Sequence, residues 1–326
     1  MGRILITGGA GFLGVNAASH FAGLGWQVRL FDNLSRANTE RNLEWIRRTQ
    51  PEVEFIRADV RNRSALDKAV EGQDAVLHLA AQVAVTTSVQ DPTTDFEVNA
   101  GGTLHLLEAV RTHAPEAAVL FASTNKVYGE LTDTRAPVDE RQPLDFHSPY
   151  GCSKGAADQY VRDYARCFGL RTVVFRQSCI YGEHQYGTED QGWVAHFVHS
   201  IAARRRLTVY GDGSQVRDLL HARDLSRLYA TAIERMDDCH GQVFNAGGGR
   251  ANTRSVLEVI KAIEAVSGVK ASYSFGDWRV GDQRYFVCDN GRAQSVLGWR
   301  PQIGFDAGLN DLVKWAASTA AAGRAA

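Results

Sequence analysis

The stretch Arg3-Ile4-Leu5-Ile6-Thr7-Gly8-Gly9-Ala10-Gly11-Phe12-Leu13-Gly14 decides the fold. Residues 3–7 read as a short buried strand, glycines follow at once, and residues 12–24 have helical character with small residues at their start. A strand, a tight glycine turn and a helix in that order suit a dinucleotide. The turn keeps side chains away from a pyrophosphate, and the helix N-terminus offers unpaired N–H groups and a favourable dipole. Gly8, Gly11 and Gly14 follow the spacing GxxGxxG. A second strand, residues 27–31, leads into Asp32, which is placed to accept hydrogen bonds from an adenosine ribose. Its charge repels a 2′-phosphate, so NAD is favoured over NADP. Arg36 could grip such a phosphate, but is read as a solvated loop charge.

Composition allows this scheme and excludes others. With 326 residues, 44% hydrophobic and 22% charged, the chain can bury one large core or two coupled ones. A formal net charge of -1 gives no general attraction to nucleic acid or to an anionic membrane. Any phosphate must then be held locally. Met1 runs directly into the first strand, and no apolar run approaches the ~20 residues of a membrane span, so a cytoplasmic location is expected. Cys152, Cys167, Cys179, Cys239 and Cys288 form no CxxC pair, which points to buried, reduced thiols rather than a disulfide framework or a metal site.

Short β-rich runs at residues 54–57, 75–79, 118–122 and 171–175 alternate with helical ones. This alternation predicts an α/β fold, a doubly wound parallel sheet of Rossmann type with its ligand beyond the C-terminal strand ends. Asp59 and Val60 then lie where an adenine would be, and Ala80, Ala81 and Gln82 beside the cofactor phosphates. After about Gln177 the pattern loosens. The expected organisation is an NAD-binding domain over 1–176 with an interleaved return around 215–245, and a smaller, mainly substrate-binding lobe over 177–326. The Ala-rich end, residues 316–326, reads as a frayed helix or disordered tail.

Tyr150 and Lys154 lie four residues apart at the start of a helix whose apolar stripe runs Ala157, Tyr160, Val161, Tyr164, Ala165, Phe168. Continued back one turn, the stripe points both inward. A lysine on a buried stripe is costly without a task. Its ammonium is expected to lower the phenol's pKa from about 10 towards neutrality, making tyrosine a usable base. Thr124, ending the fifth strand, can hydrogen-bond the same substrate hydroxyl. His78 and His221 have no evident partner and are read as structural.

The glycine turn, Asp32, the block Ser123-Thr124-Asn125-Lys126-Val127-Tyr128-Gly129, Tyr150 with Lys154, Arg217-Asp218 and the block Arg279-Val280-Gly281-Asp282-Gln283-Arg284 together resemble the extended short-chain dehydrogenase/reductase family of nucleotide-sugar enzymes over essentially the whole chain. Residues 123–129, 144–160 and 190–193 look most like the branch that inverts carbon 2 of CDP-linked hexoses. Two departures stand where the sugar is expected: a shorter segment at 130–142, and Glu183-His184 after Tyr181-Gly182 instead of a proline. The resemblance implies NAD contacts from Gly8, Gly11, Phe12, Leu13, Asp32, Asn33, Ser35, Arg36, Asp59, Val60, Leu79, Ala80, Ala81, Gln82, Asn99, Ser123, Tyr150 and Lys154. It implies catalysis by Thr124, Tyr150 and Lys154. Substrate contacts are implied for Thr124, Asn125, Lys126, Gln177, Ser178, Trp193, Arg217 and Arg279, the two arginines holding the diphosphate, with Arg284 a weaker choice and no metal. Helices over 95–112 and 150–168 are the pair that related enzymes use for a four-helix interface, implying a homodimer or homotetramer.

Chemistry selects among the family's reactions. Dehydratases of this family place Asp and Glu directly after the strand-end threonine, whereas here Asn125 and Lys126 stand there. Elimination lacks its acid/base pair, while epimerisation needs one hydroxyl deprotonated and one hydride taken and returned. The expectation is an NAD-dependent epimerase of a nucleotide-diphosphate sugar, with a CDP-sugar inverted at carbon 2 favoured. Its alternatives are a C2 or C4 epimerase of a UDP-, GDP- or ADP-linked sugar and a net oxidoreductase. A non-catalytic nucleotide sensor would not need the Thr124, Tyr150, Lys154 set.

Overall fold

The strand–turn–helix opening sits at the centre of a seven-stranded parallel sheet. The computed structural model describes residues 2–131, 136–279 and 283–325. In chain order the strands are β1 Arg3–Thr7, β2 Gln27–Asp32, β3 Glu54–Arg57, β4 Ala75–His78, β5 Ala118–Thr124, β6 Thr172–Gln177, β7 Cys179–Tyr181, β8 Leu207–Tyr210, β9 Val216–His221, β10 Gln242–Ala246, β11 Thr253–Ser255, β12 Tyr273–Gly276 and β13 Tyr285–Phe286. The large sheet has the order β10-β6-β5-β4-β1-β2-β3. Its direction of winding reverses between β1 and β4, where a crevice opens beyond the strand ends.

Both faces of this sheet are covered, which is why its strands read as unbroken apolar runs. Ile4 and Ile6 face a core shared with Val15, Ala18 and Phe21 of the helix Phe12–Gly23, Leu43 and Ile46 of Thr39–Thr49, and Leu225 and Leu228 of Ala222–Glu234. Leu5 faces the opposite core, with Leu66, Leu106, Val110, Ala157 and Val161 from the helices Arg63–Val70, Gly102–His113 and Ser148–Phe168. The last of these begins with Pro149 in its first turn and ends on Gly169 at φ 71, a left-handed cap that glycine adopts without steric penalty.

The smaller lobe is built around β9, which pairs with β7, β11 and β13, while β8 pairs with β12. Its core joins Val194, Val198 and Ile201 to Val259, Ile263, Leu309 and Leu312. The chain crosses back to the large sheet more than once: β10 adds to the β6 edge, and Ala293, Leu297 and Trp299 enter the first core.

Several boundaries differ from the expectation. β5 and β6 run on to Thr124 and Gln177 because the polar pairs Ser123↔Arg176 and Thr124↔Gln177 continue the ladder. Burial of those polar groups rests on side-chain partners that an apolar-run reading does not register. The helix expected over 95–112 is three pieces, Pro92–Phe96, a π-turn Glu97–Gly101 and Gly102–His113. The Ala-rich end is helical to Ala325 within Phe305–Ala325, and Ala316 is buried in the third core rather than frayed. Cys152 and Cys167 are exposed rather than buried, because they lie on the outer face of Ser148–Phe168. Val280, Gly281 and Asp282, and residues 132–135 of the segment 130–142, lie outside the described residues.

Candidate active site

Gly8 takes φ +67, and a Cβ there would lie 2.8 Å from Ala80 N, so the turn and the loop after β4 can only meet if residue 8 lacks a side chain. Gly14 is tighter: its Cβ would fall 2.3 Å from Gly8 O. A Cβ on Gly11 would press on Gly8 O at 3.1 Å, closer than an ordinary van der Waals contact. The helix Phe12–Gly23 begins at Gly11 with no side-chain cap and no acidic residue in its first turn. Its N-terminal N–H groups and positive dipole end are therefore left for an anion, and this fits the pyrophosphate of NAD.

The remaining cofactor candidates gather around this turn. Asp32 accepts from Ala10 N at 3.1 Å and Leu34 N at 2.8 Å, and burial pushes its pKa up against those bonds. Asn33 donates to Asp59 at 2.8 Å and accepts from Ser35 N at 2.9 Å. Asp59 is held at about 2, chiefly by its bonds to Arg61, so that carboxylate is engaged within its own loop. The Val60 side chain enters the second core. Phe12 O accepts from Asn16, and Leu13 packs on the first core. Leu79 N and Ala80 N bond to Thr7, the former to its carbonyl and the latter to its hydroxyl at 3.3 Å. Ala81 leads into Gln82, where Asn99 closes a reciprocal pair of bonds at 2.9 and 3.0 Å. Arg36 is exposed, yet its charge acts on both Asp32 and Tyr150, so it belongs to the cleft and is not merely a solvated loop charge.

Thr124 at the end of β5 and Tyr150 in the first turn of Ser148–Phe168 converge, and a hydrogen bond from Thr124 pulls the phenol's pKa down. Burial outweighs it, leaving Tyr150 at about 12, with Asp95 pushing it further up and Arg36 down. The expected lowering by Lys154 is corrected here. The Lys154 ammonium donates to Ala122 O at 2.6 Å and lies 4.2 Å from the Phe121 ring centroid. Burial lowers Lys154 itself to about 7, while Asp158 and Asp95 act to keep it charged.

Beneath these groups lies a buried network. Ser123 donates to Asp158 at 2.8 Å, so its hydroxyl is turned into the protein rather than towards a cofactor. Asp158 pairs with Arg176 through bonds of 2.9 and 3.0 Å, Arg176 lies over the Tyr128 ring, and Tyr128 donates to Asn245 at 2.7 Å. His78 bridges Thr7 at 2.6 Å and Thr103 at 3.0 Å; burial lowers it to about 3, so it is a neutral structural link.

The substrate candidates divide. Lys126 and Arg217 both act electrostatically on Cys179, whose thiol is pushed up to about 11 by burial, and Trp193 donates to the same sulfur at 3.0 Å. Arg217 donates to the Gln283 carbonyl, and Asn125 to the Gln283 side chain at 3.0 Å. Arg279 stands 4.0 Å over the Tyr210 ring and 3.5 Å from Asp190, and Arg284 lies over Trp278. Gln177 instead donates to Tyr229 in the first core at 2.6 Å. Ser178 bonds Asp218, which also accepts from Gly249 N and Cys288 N at 3.1 Å each. Gln177 is thus taken up within the first core, and Ser178 ties the end of β6 to β9. Glu183 and His184 pack against the helices Phe12–Gly23 and Thr39–Thr49. Asn16 and Asn42 grip their carbonyls at 2.9 and 3.2 Å, and His184 stacks 3.8 Å from Trp45. Sequence reasoning missed Asp95, Asp158, Cys179 and Tyr210, whose types give no signal until the fold pairs them.

Residues 4–247 match the model of the NAD dependent epimerase/dehydratase family. The chain is 42% identical to the CDP-paratose 2-epimerase of Salmonella typhi, covering 97% of this chain and 99% of the relative. Two solved structures are similar. The UDP-glucose 4-epimerase of Thermus thermophilus in complex with NAD gives a TM-score of 0.86 at 30% identity, covering 97% of this chain and 99% of that one. The UDP-glucose 4-epimerase of Thermotoga maritima with UDP-glucose gives 0.88 at 30% identity, covering 98% and 99%.

Proposed function

Because this chain belongs to the NAD dependent epimerase/dehydratase family, we propose that it inverts carbon 2 of a CDP-linked hexose of the CDP-paratose/CDP-tyvelose type, with NAD as cofactor. Epimerisation over elimination is carried by one observation: the positions after Thr124 hold Asn125, bonded to the neutral Gln283 amide, and Lys126, so no acid/base pair for loss of water stands there. Carbon 2 and the CDP group are supported by the full-length similarity to a 2-epimerase.

In this reading Tyr150 takes the proton of the reacting hydroxyl while Thr124 holds the same oxygen. Lys154 ties the helix of Tyr150 to β5 through the Ala122 carbonyl, and Asn99 fixes the Gln82 loop. The glycine turn and Asp32 would hold NAD, which would supply hydride acceptance and return at the same carbon. The ketone formed meanwhile is held by Thr124 and Tyr150, and Tyr150 returns the proton after the sugar has turned its other face. Arg217 and Arg279 anchor the diphosphate, and the segment 177–193 accommodates the turning sugar. The cofactor and substrate assignments above, and the division into an NAD-binding domain over 1–176 and a lobe over 177–326, are part of the same reading.

A homodimer or homotetramer completes it: Val89, Phe96, Tyr160 and Phe168 are 64%, 60%, 45% and 52% exposed along the paired helices, an apolar surface suited to a second copy. No helix among the described residues is long and apolar enough to cross a membrane.

The test is incubation of the purified protein with CDP-, UDP-, GDP- and ADP-sugars, with product stereochemistry read by NMR. The expected result is inversion at carbon 2 of a CDP-hexose, with deuterium placed at that carbon retained in the product. Loss of the label to solvent would point to an enolate and refute hydride return, while inversion at carbon 4 would refute the assigned carbon.

A further inference from the structure

Asp95 is fully buried, yet the mechanism above does not use it. It lies in the short helix Pro92–Phe96, two residues before the π-turn Glu97–Gly101, a backbone irregularity that often marks functional sites. Its carboxylate accepts from the Ser153 hydroxyl and from Asn99 Nδ2 at 3.2 Å. Ser153 also reaches the Tyr150 carbonyl at 3.2 Å and receives Asn99 Nδ2 at 3.0 Å. Since Ser153 lies between Tyr150 and Lys154 on one helical turn, Asp95 is tied to the backbone that aims both side chains.

We propose that Asp95 is a positioning residue for the Tyr150 and Lys154 pair: bonded through Ser153 to their shared turn, its buried negative charge keeps Lys154 as an ammonium and sets the pH range over which Tyr150 takes and returns the hydroxyl proton. The proposal rests on the epimerase reading above. The charges facing the pair are few. Lys154 lies between Asp95 and Asp158, the latter largely neutralised by Arg176, with neutral His78 also within its field. Tyr150 senses Asp95 on one side and Arg36 on the other. Asp95 is thus the carboxylate common to both, and it favours the protonated form of each.

The sign follows directly. Removing the charge as Asp95→Asn, which keeps an acceptor for Ser153, makes the phenol easier to ionise and the ammonium easier to deprotonate. Both limbs of the kcat against pH profile should move to lower pH, by about 0.5–1 unit. Stationary limbs, or limbs moving in opposite directions, overturn the proposal. Ser153→Ala keeps the charge but cuts the tie, and should lower kcat on the order of tenfold with both limbs unmoved; unchanged kcat overturns the positioning role even if Asp95→Asn fails to fold. Should the wild-type protein epimerise none of the sugars, the functional reading fails separately. Tyrosinate absorbance of the purified protein, with Tyr150→Phe as the blank, then reads the phenol directly. Ionisation at lower pH in Asp95→Asn supports the proposal, and an unmoved titration refutes it.

Discussion

Gly14→Ala is the sharpest test of the opening turn. The added methyl would sit 2.3 Å from Gly8 O and 2.6 Å from both Gly9 Cα and Gly9 O, all backbone atoms that no rotamer change can move aside. The helix Phe12–Gly23 must therefore pull back from the turn. Overpacking of a tight site costs about 1–3 kcal/mol, and alanine's better helix propensity offsets less than about 1 kcal/mol of that. Gly23 supplies the control within the same helix, since a Cβ there meets nothing within 4 Å. Gly23→Ala should be neutral or stabilising by about 0.5–1 kcal/mol.

The assay is thermal unfolding of both variants stripped of nucleotide, followed by the NAD content of each as purified. Stripping matters, because lost ligand alone lowers an apparent melting temperature. Gly14→Ala should melt lower without nucleotide and retain little NAD, since retreat of the helix takes its N-terminal N–H groups from the pyrophosphate. Gly23→Ala should melt at or above the wild type with full NAD. A Gly14→Ala protein with wild-type melting and full NAD would refute the close-approach argument.

Tyr150→Phe should reduce epimerisation at least about a hundredfold while leaving substrate affinity nearly unchanged in calorimetry, because only the proton-transfer group is lost. Arg176→Met should destabilise by about 3–5 kcal/mol in urea titration, because Asp158 is left charged and 0% exposed with Ser123 as its remaining bond to the strand. Burial acts to raise Glu183, but His221, a backbone N–H and the Arg223 charge together outweigh it and hold the carboxylate at about 2. Its folded pKa is depressed below the unfolded value of about 4.3, so its contribution is complete above that value and is lost as pH falls through about 2. Glu183→Gln should therefore flatten the acid arm of the urea midpoint against pH, and an unaltered arm would contradict the pairing.

What the sequence made legible follows from locality. The glycine turn, β2 with Asp32 and the Tyr150 to Lys154 spacing are read within single segments whose backbone geometry their own residues impose. The end of β6 was not legible, because Arg176 becomes a strand residue only when Asp158, on a different element, receives it at 2.9 Å. The same non-locality hid the side-chain partners of Ser123 and Gln177, whose polar groups Asp158 and Tyr229 take up. Lys154 shows the limit of a spacing argument. The i, i+4 offset placed it on the buried stripe correctly, but the choice between Tyr150 and the Ala122 carbonyl depends on β5, which the helix pattern does not contain.

Glu183 and His184 carry this point furthest. Their departure from the family's proline suggested a difference in the sugar pocket, yet their carbonyls are held by Asn16 and Asn42 on two helices of the large sheet, and His184 lies against Trp45. His184 takes φ 68 one residue beyond the proline position, so the chain after Glu183 turns there and packs on the helices Phe12–Gly23 and Thr39–Thr49. The segment after β7 is thereby fastened, at its start, to the helix whose N-terminus lies at the glycine turn.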